Sequence, residues 1–465
     1  MKQKQTNNPG WRRVATLLLA VSLLGSSCGP GGDADNAGTL PDFPKEKITL
    51  TIWRVMGDNS GFADAINEYA QLHDNVAFTF KIVNPATYEK DLIEALAAGK
   101  GPDIVTLPND KIHAFEDKLA PMPDNFFGGS SAINTLTATY PAAVVTDTYH
   151  NGQIYGIPLT LDALILLYNR DLMKAELKRR YREQLPTSDL LTRAPADWNE
   201  VIELTKLLTK RTGSQFEPAA IALGTTANVP HASDIIAALL LQQGVKMVTA
   251  DGKNAAYHLP DINDSTYYPG PAVLDFLHGF SDPASDHYTW NAAQPDAVQA
   301  FLEGKLAMML GYQSIVGYLL QRNPSLDVKL APLPQIPNAR TIVDFAGNYR
   351  IEAVSQASPY AAVAWDFLAT MVDDGVPLYL ETVGQPAAEI KNAPTLTVSE
   401  RLYRSDVPRL LVPTAKSWYK GSDPVQADLL LTQSLDRVVE QGQNSRDSLT
   451  LAAAAFTQLL TTSSP

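Results

Sequence analysis

The sequence predicts an α/β protein of two lobes, each a mainly parallel sheet flanked by helices. Three observations predict it. With 465 residues, of which 45% are hydrophobic and 19% charged, the chain exceeds what one core usually holds and divides into two of roughly 150 to 250 residues each. Between Ile48 and Leu107, segments of period two alternate with segments of helical period in the order βαβαβ. That order builds an open parallel sheet covered by helices. A further apolar run, Ala163 to Tyr168, then starts a fresh sheet.

The formal charge is -13, from 37 basic and 50 acidic residues. This excludes a nonspecific nucleic-acid binder, which needs a basic footprint to displace counterions. The one cysteine, Cys28, excludes an intramolecular disulfide and any cysteine-based metal cluster. The chain begins with Lys2, Lys4, Arg12 and Arg13, no acidic residue, and the apolar stretch VATLLLAVSLL from Val14 to Leu24. That stretch is too short to span a bilayer as a helix, which takes about 20 residues, and suits a signal peptide over residues 1–27. Residues 28–45 are rich in Gly, Pro and Asp without periodicity, as a flexible tether would be. The segment LLGSSC resembles the lipobox of bacterial lipoproteins, with Gly25 where a leucine-like residue is usual and Leu24 one step further away. The resemblance implies a diacylglycerol, and hence a palmitate-type anchor, on Cys28. The protein is then expected to be exported and held by lipid at the outer face of the cell membrane or in the periplasm.

Beyond the tether, ITLTIW at Ile48 to Trp53 reads as a strand, followed by a helix with Phe62, Ile66, Tyr69 and Ala70 on one face. VAFTFKIV at Val76 to Val83 is the second strand, a helix through Tyr88, Leu92 and Leu96 follows, and IVTL at Ile104 to Leu107 is the third. Open sheets of this kind place ligands beyond the carboxyl ends of their strands. A helix begins at Asp197, which has capping-box spacing to Glu200. Further helices are expected at 233–243, 270–280 and 360–371, with a long amphipathic tract over 427–439 and 448–460. LAMML after Gly304 is an apolar strand opening into a polar loop.

Four segments in order carry a family resemblance: ALAAGKGPDIVTL at Ala95 to Leu107, YGIPLTLDALILLYNRDLM at Tyr155 to Met173, PADWNEVIELTKLLT at Pro195 to Thr209, and FLEGKLAMMLGYQS at Phe301 to Ser314. Together they resemble the extracellular solute-binding proteins of bacterial ABC transporters, the carbohydrate-binding group that includes maltose-binding protein. The resemblance implies a periplasmic-binding-protein-like fold with a ligand cleft between discontinuous lobes. The expected N-terminal lobe is 46–158 plus 301–345, and the C-terminal lobe 159–300 plus 346–463. It further implies a monomer that captures a sugar or oligosaccharide by lobe closure and delivers it to the membrane subunits of an ABC permease.

Sugar recognition requires aromatic faces against C–H patches and planar amides or carboxylates for hydroxyls. The loops supply Asn59 and Ser60 after the first strand, and Asn109 after the third. By resemblance, Asp162 presents a polar group before the second-sheet strand, Trp290 supplies a stacking aromatic, and Asn348 is a contact at the second hinge, with Gly347 at a close approach. Tyr312 and Gln313 follow the strand LAMML in a loop toward the cleft, and Trp418, in a segment that departs from the family, is expected to cover it. The aromatics favour a neutral glycan, although Arg54 or Arg350 would suit an anionic one.

No phosphate loop, HExxH helix, EF-hand or GxSxG turn is present. GKG at Gly99 to Gly101 precedes Pro102 and Asp103, not Ser or Thr, and is read as a helix end. His258, His278 and His287 lack ligand spacing, and neither metal nor cofactor is expected. A secreted hydrolase or lyase is the enzyme alternative, since 50 acidic residues always permit a carboxylate pair. The ordered segments argue against it and for binding without a covalent step. A sensing lipoprotein on the same fold is the other alternative.

Overall fold

The computed structural model describes residues 44–55, 60–129, 131–181, 193–213, 215–338, 341–372, 385–391, 396–401 and 406–462. Cys28, the signal segment, most of the tether and Asn59 lie outside them.

The first sheet grows from the βαβαβ run. β1 (Ile48–Val55) and β2 (Val76–Val83) pair in parallel, joined by α1 (Ser60–Leu72). α2 (Tyr88–Ala97) leads to β3 (Ile104–Pro108), which lies parallel to β1 on its other side. Phe62 and Tyr69 of α1 are buried, and the Tyr69 hydroxyl donates to Asp366 at 2.8 Å, fixing α1 against the helix Ala361–Thr370. Gly99 takes a φ of 65° at the end of α2, so GKG is a helix terminus, as its sequence indicated.

The second sheet has the order Ala219–Ile221, Leu306–Tyr312, Leu164–Asn169, Val328–Ala331. Only the first pairing is parallel; Leu164–Asn169 runs antiparallel to both neighbours, so this sheet is mixed and not mainly parallel. The Asp197 cap forms as expected, its carboxylate accepting from the Glu200 amide at 3.0 Å. Two strands exchange places relative to expectation. Leu306–Tyr312, assigned from sequence to the first sheet within 301–345, belongs to the second, and Arg350–Ser355, assigned to the second within 346–463, pairs antiparallel with β3. The cause is local: the helix Ala297–Leu302 and the turn at Gly304 fold Leu306–Tyr312 back alongside Ala219–Ile221, where the Ala219 amide meets the Lys305 carbonyl.

The chain passes between the sheets in segments that pair with one another. Ile157 and Glu352 exchange two main-chain hydrogen bonds of 2.9 and 3.0 Å, and Ala163 bridges Ala346. On the other side Thr160 bridges Ala387, with main-chain bonds from Leu161 to Pro386 and from Ala388 to Leu159. Three segments therefore run side by side at the crossing.

In the first sheet Arg54 donates to Glu352 at 2.6 Å, Thr106 donates to the other carboxylate oxygen at 2.6 Å, and the guanidinium lies 3.9 Å from the Phe62 ring centre. Burial raises the Glu352 carboxyl and Arg54 opposes the rise. Removing one member strands a buried charge. Glu352→Ala is therefore expected to lower unfolding free energy by about 3–5 kcal/mol, and the pair Arg54→Met with Glu352→Leu to restore most of it. Urea denaturation checks this, and equal losses for single and double variants would contradict it.

Candidate functional site

The site forms where Leu306–Tyr312 ends and Leu164–Asn169 begins, next to the crossing. The strand end leaves the amides of Gln313 and Ser314 without strand partners, and both find the Asp162 carboxylate, at 3.2 and 3.4 Å. Buried amides need such an acceptor. Asn348, on the crossing segment, donates to the same carboxylate at 3.4 Å and to the Ser314 hydroxyl at 3.1 Å. Asp162 is 1% exposed, whereas Ser314 and Asn348 are exposed. The groups offered to solvent are thus an amide and a hydroxyl, with the carboxylate orienting them from below. Burial pushes the Asp162 carboxyl up to about 6, against the hydrogen bonds that favour its charge.

Beside this triad, the Tyr312 ring turns inward. Its hydroxyl donates to Asp234 at 2.8 Å, and the ring meets His231 edge to face at 4.8 Å between centres. Gly347 passes close by: a Cβ there would strike the Tyr312 hydroxyl and the Phe345 ring. Asp234, in the helix Ala232–Gln242, also lies 4.0 Å from the Lys420 ammonium, which bonds Asp428 at 2.7 Å and sits 3.8 Å from Asp110 at the end of β3. Burial works against the Lys420 charge, yet the three carboxylates together raise its pKa. One ammonium thereby links the carboxyl end of the first sheet to helices of the second.

Of the residues singled out from sequence, the structure brings Asp162, Gln313 and Asn348 together and places several others away from them. Asp162 is buried, with its carboxylate taken up by the Gln313 and Ser314 amides and by Asn348. Asn109 is buried and donates to Asp147 at 2.8 Å; Tyr349 and Ser417 donate to the same carboxylate, so Asn109 is a strut of the fold. Trp290 is 1% exposed, and its indole N–H donates to Asn228 at 3.0 Å, which makes it a core residue and not a stacking platform. Trp418 is buried edge-on to Phe456, 5.4 Å between centres, packing the C-terminal helices and not covering a cleft. Tyr312 approaches the site through its edge and hydroxyl. Ser60 is the first residue of α1, and its side chain is outside the described set. Arg54 is committed to Glu352. Sequence reading missed Ser314, His231, Asp234 and Lys420. The acid three residues after His231, in the first turn of its helix, was the available signal for two of them.

Asp147 provides a pH test. Burial lifts its carboxyl from 3.8 to about 7, opposed by the hydrogen bonds from Ser417, Tyr349 and Asn109. Between about pH 4 and 7 the folded chain holds a proton the unfolded chain has released, so this group's contribution to stability is full at low pH and lost as pH rises. Asp162 and Asp428, both raised to about 6, act in the same direction. Asp147→Asn is expected to flatten the fall in unfolding free energy across this window by up to about 1.4 kcal/mol per pH unit. Denaturation at a series of pH values measures it, and an unaltered slope would refute the assignment.

The chain has counterparts among known proteins. The bacterial extracellular solute-binding protein family matches residues 55–376. The chain is 22% identical over 396 residues to the galactooligosaccharide-binding protein of Bacillus subtilis (strain 168), covering 83% of each. It is 24% identical over 440 residues to the maltodextrin-binding protein MdxE of the same organism, covering 90% of this chain and 92% of the relative. In fold it resembles the crystal structure of the cyclic α-maltosyl-1,6-maltose binding protein from Arthrobacter globiformis, with a TM-score of 0.68 at 19% identity over 89% of this chain and 99% of that one. The family match spans more than half of the chain, and the chain belongs to the bacterial extracellular solute-binding protein family.

Proposed function

We propose that the protein captures a neutral oligosaccharide outside the cytoplasmic membrane and delivers it to the membrane subunits of an ABC permease. The observation that carries this reading is the exposed Ser314–Asn348 pair seated on buried Asp162 beside the crossing. A hydroxyl and an amide at fixed angles suit sugar hydroxyls, which both donate and accept. The named sugar ligands of both Bacillus subtilis relatives support the substrate class. The lobes follow the two sheets, and closure draws ligand contacts from both, shifting an open and closed equilibrium. Selection rests on binding free energy, with no covalent step.

Titration calorimetry against maltodextrins and galactooligosaccharides is expected to show saturable binding to at least one. Asn348→Ala is expected to weaken it about 10-fold or more, the loss of a hydrogen bond of about 1.5 kcal/mol, while Trp290→Phe leaves it in place. Silence across the panel, or an unaffected Asn348→Ala, would overturn the reading.

The anchor is proposed at Cys28, where LLGSSC meets the tether. Labelled palmitate is expected to enter the full chain in a bacterial host and to be lost with Cys28→Ser; equal labelling of both would refute the anchor.

A further inference from the structure

His113, Glu116 and His150 each offer one ligand atom, and these atoms all lie within 4.8 Å of one another. None belongs to the site described above. His113 and Glu116 stand three residues apart on the turn that runs from the helix Ile112–Phe115 into the 3-10 turn Glu116–Lys118, so they share a face. His150 arrives from the hairpin Tyr149–His150 and Gln153–Ile154. Its two-residue turn, Asn151-Gly152, has positive φ at both positions, 49° and 83°, the geometry that locks a tight hairpin.

The hydrogen bonds fix the ring chemistry. His113 Nε2 lies 2.9 Å from the Thr146 carbonyl, which accepts only, so Nε2 carries the proton and Nδ1 holds the lone pair. That Nδ1 is buried with no hydrogen-bond partner among the described residues. A histidine with one ring N–H tied to a carbonyl and the other nitrogen bare has the arrangement of a metal ligand. His150 Nδ1 lies 2.6 Å from a Glu116 oxygen, and Asn151 donates to the other at 3.4 Å. The Tyr419 ring walls the cluster, edge-on to His113 at 4.9 Å and stacked on His150 at 5.5 Å between centres. An ion pair between His150 and Glu116 accounts for those two residues and leaves His113 Nδ1 idle.

We propose that His113, Glu116 and His150 bind a divalent transition metal of the zinc class. Two imidazoles and one carboxylate match its preferred donors at about 2.0–2.2 Å, with a fourth position open to water or another ligand. His150 and Glu116 are 33% and 20% exposed, which gives the ion a path in and the two side chains room to draw together.

Chelator-stripped full chain titrated calorimetrically with zinc chloride is expected to bind one equivalent with a rise in Tm. Cobalt(II) is expected to give visible absorption bands of a low-coordinate site. Glu116→Gln keeps shape and is expected to weaken zinc by more than the roughly 10–100-fold that losing an outer-shell partner costs. His113→Ala with His150→Ala is expected to abolish binding, while His258→Ala leaves it intact. Circular dichroism confirms folding of each variant. Absence of saturable zinc binding in the native chain, or zinc affinity unchanged in folded Glu116→Gln or in the folded double variant, would overturn the proposal.

Discussion

Main-chain pairing at the crossing is the constraint on which the rest depends. Ile157 holds Glu352, Ala163 holds Ala346, and Thr160 holds Ala387, so three separate stretches of chain share one narrow ladder. Buried apolar side chains run through both sheets as one cluster, but the placement of Asp162 and Asn348 comes from this ladder, since one lies just before Ala163 and the other two residues after Ala346. Their 3.4 Å contact follows from register, not from side-chain attraction alone. The same register brings Glu352 under Arg54, so the deepest ion pair of the first sheet and the polar triad of the site answer to one set of hydrogen bonds.

Around this ladder the protein gathers buried carboxyls with unusual persistence. Asp147 collects donors from β3's end, from the crossing segment and from Ser417; Asp234 and Asp428 face Lys420. Burying such groups is costly unless each lone pair is met. Here the donors come from elements far apart in sequence, so the polar groups bind the parts of the chain into one arrangement in a way that apolar packing, which is tolerant of sliding, does not.

How much of this was legible in the sequence depended on range. Local features were: the alternation of β1 to β3, the Asp197 cap and the glycine ending α2 all follow from residues within one turn or one strand. Partner choice was not. All seven positions of Leu306–Tyr312 are buried, so its composition suits the interior of either sheet, and its partners, Ala219–Ile221 and Leu164–Asn169, lie far from it in the chain. Trp290 misled for a similar reason, since an aromatic near a polar loop looks alike whether it faces a sugar or Asn228. Lys420 was invisible because its meaning comes from Asp110, Asp234 and Asp428, which no window of sequence contains together. His113 and His150 escaped notice on the same grounds.

Lys420 has one further consequence. Its single positive charge is set against three carboxylates, those of Asp110, Asp234 and Asp428. Those acids stand on the segment after β3, on the helix Ala232–Gln242 and on the helix Pro424–Gln441, so one cation is shared by three distant parts of the chain. Without that ammonium three carboxylates from separate elements would face one another, and like-charge repulsion would drive apart the segments that the shared cation now holds together.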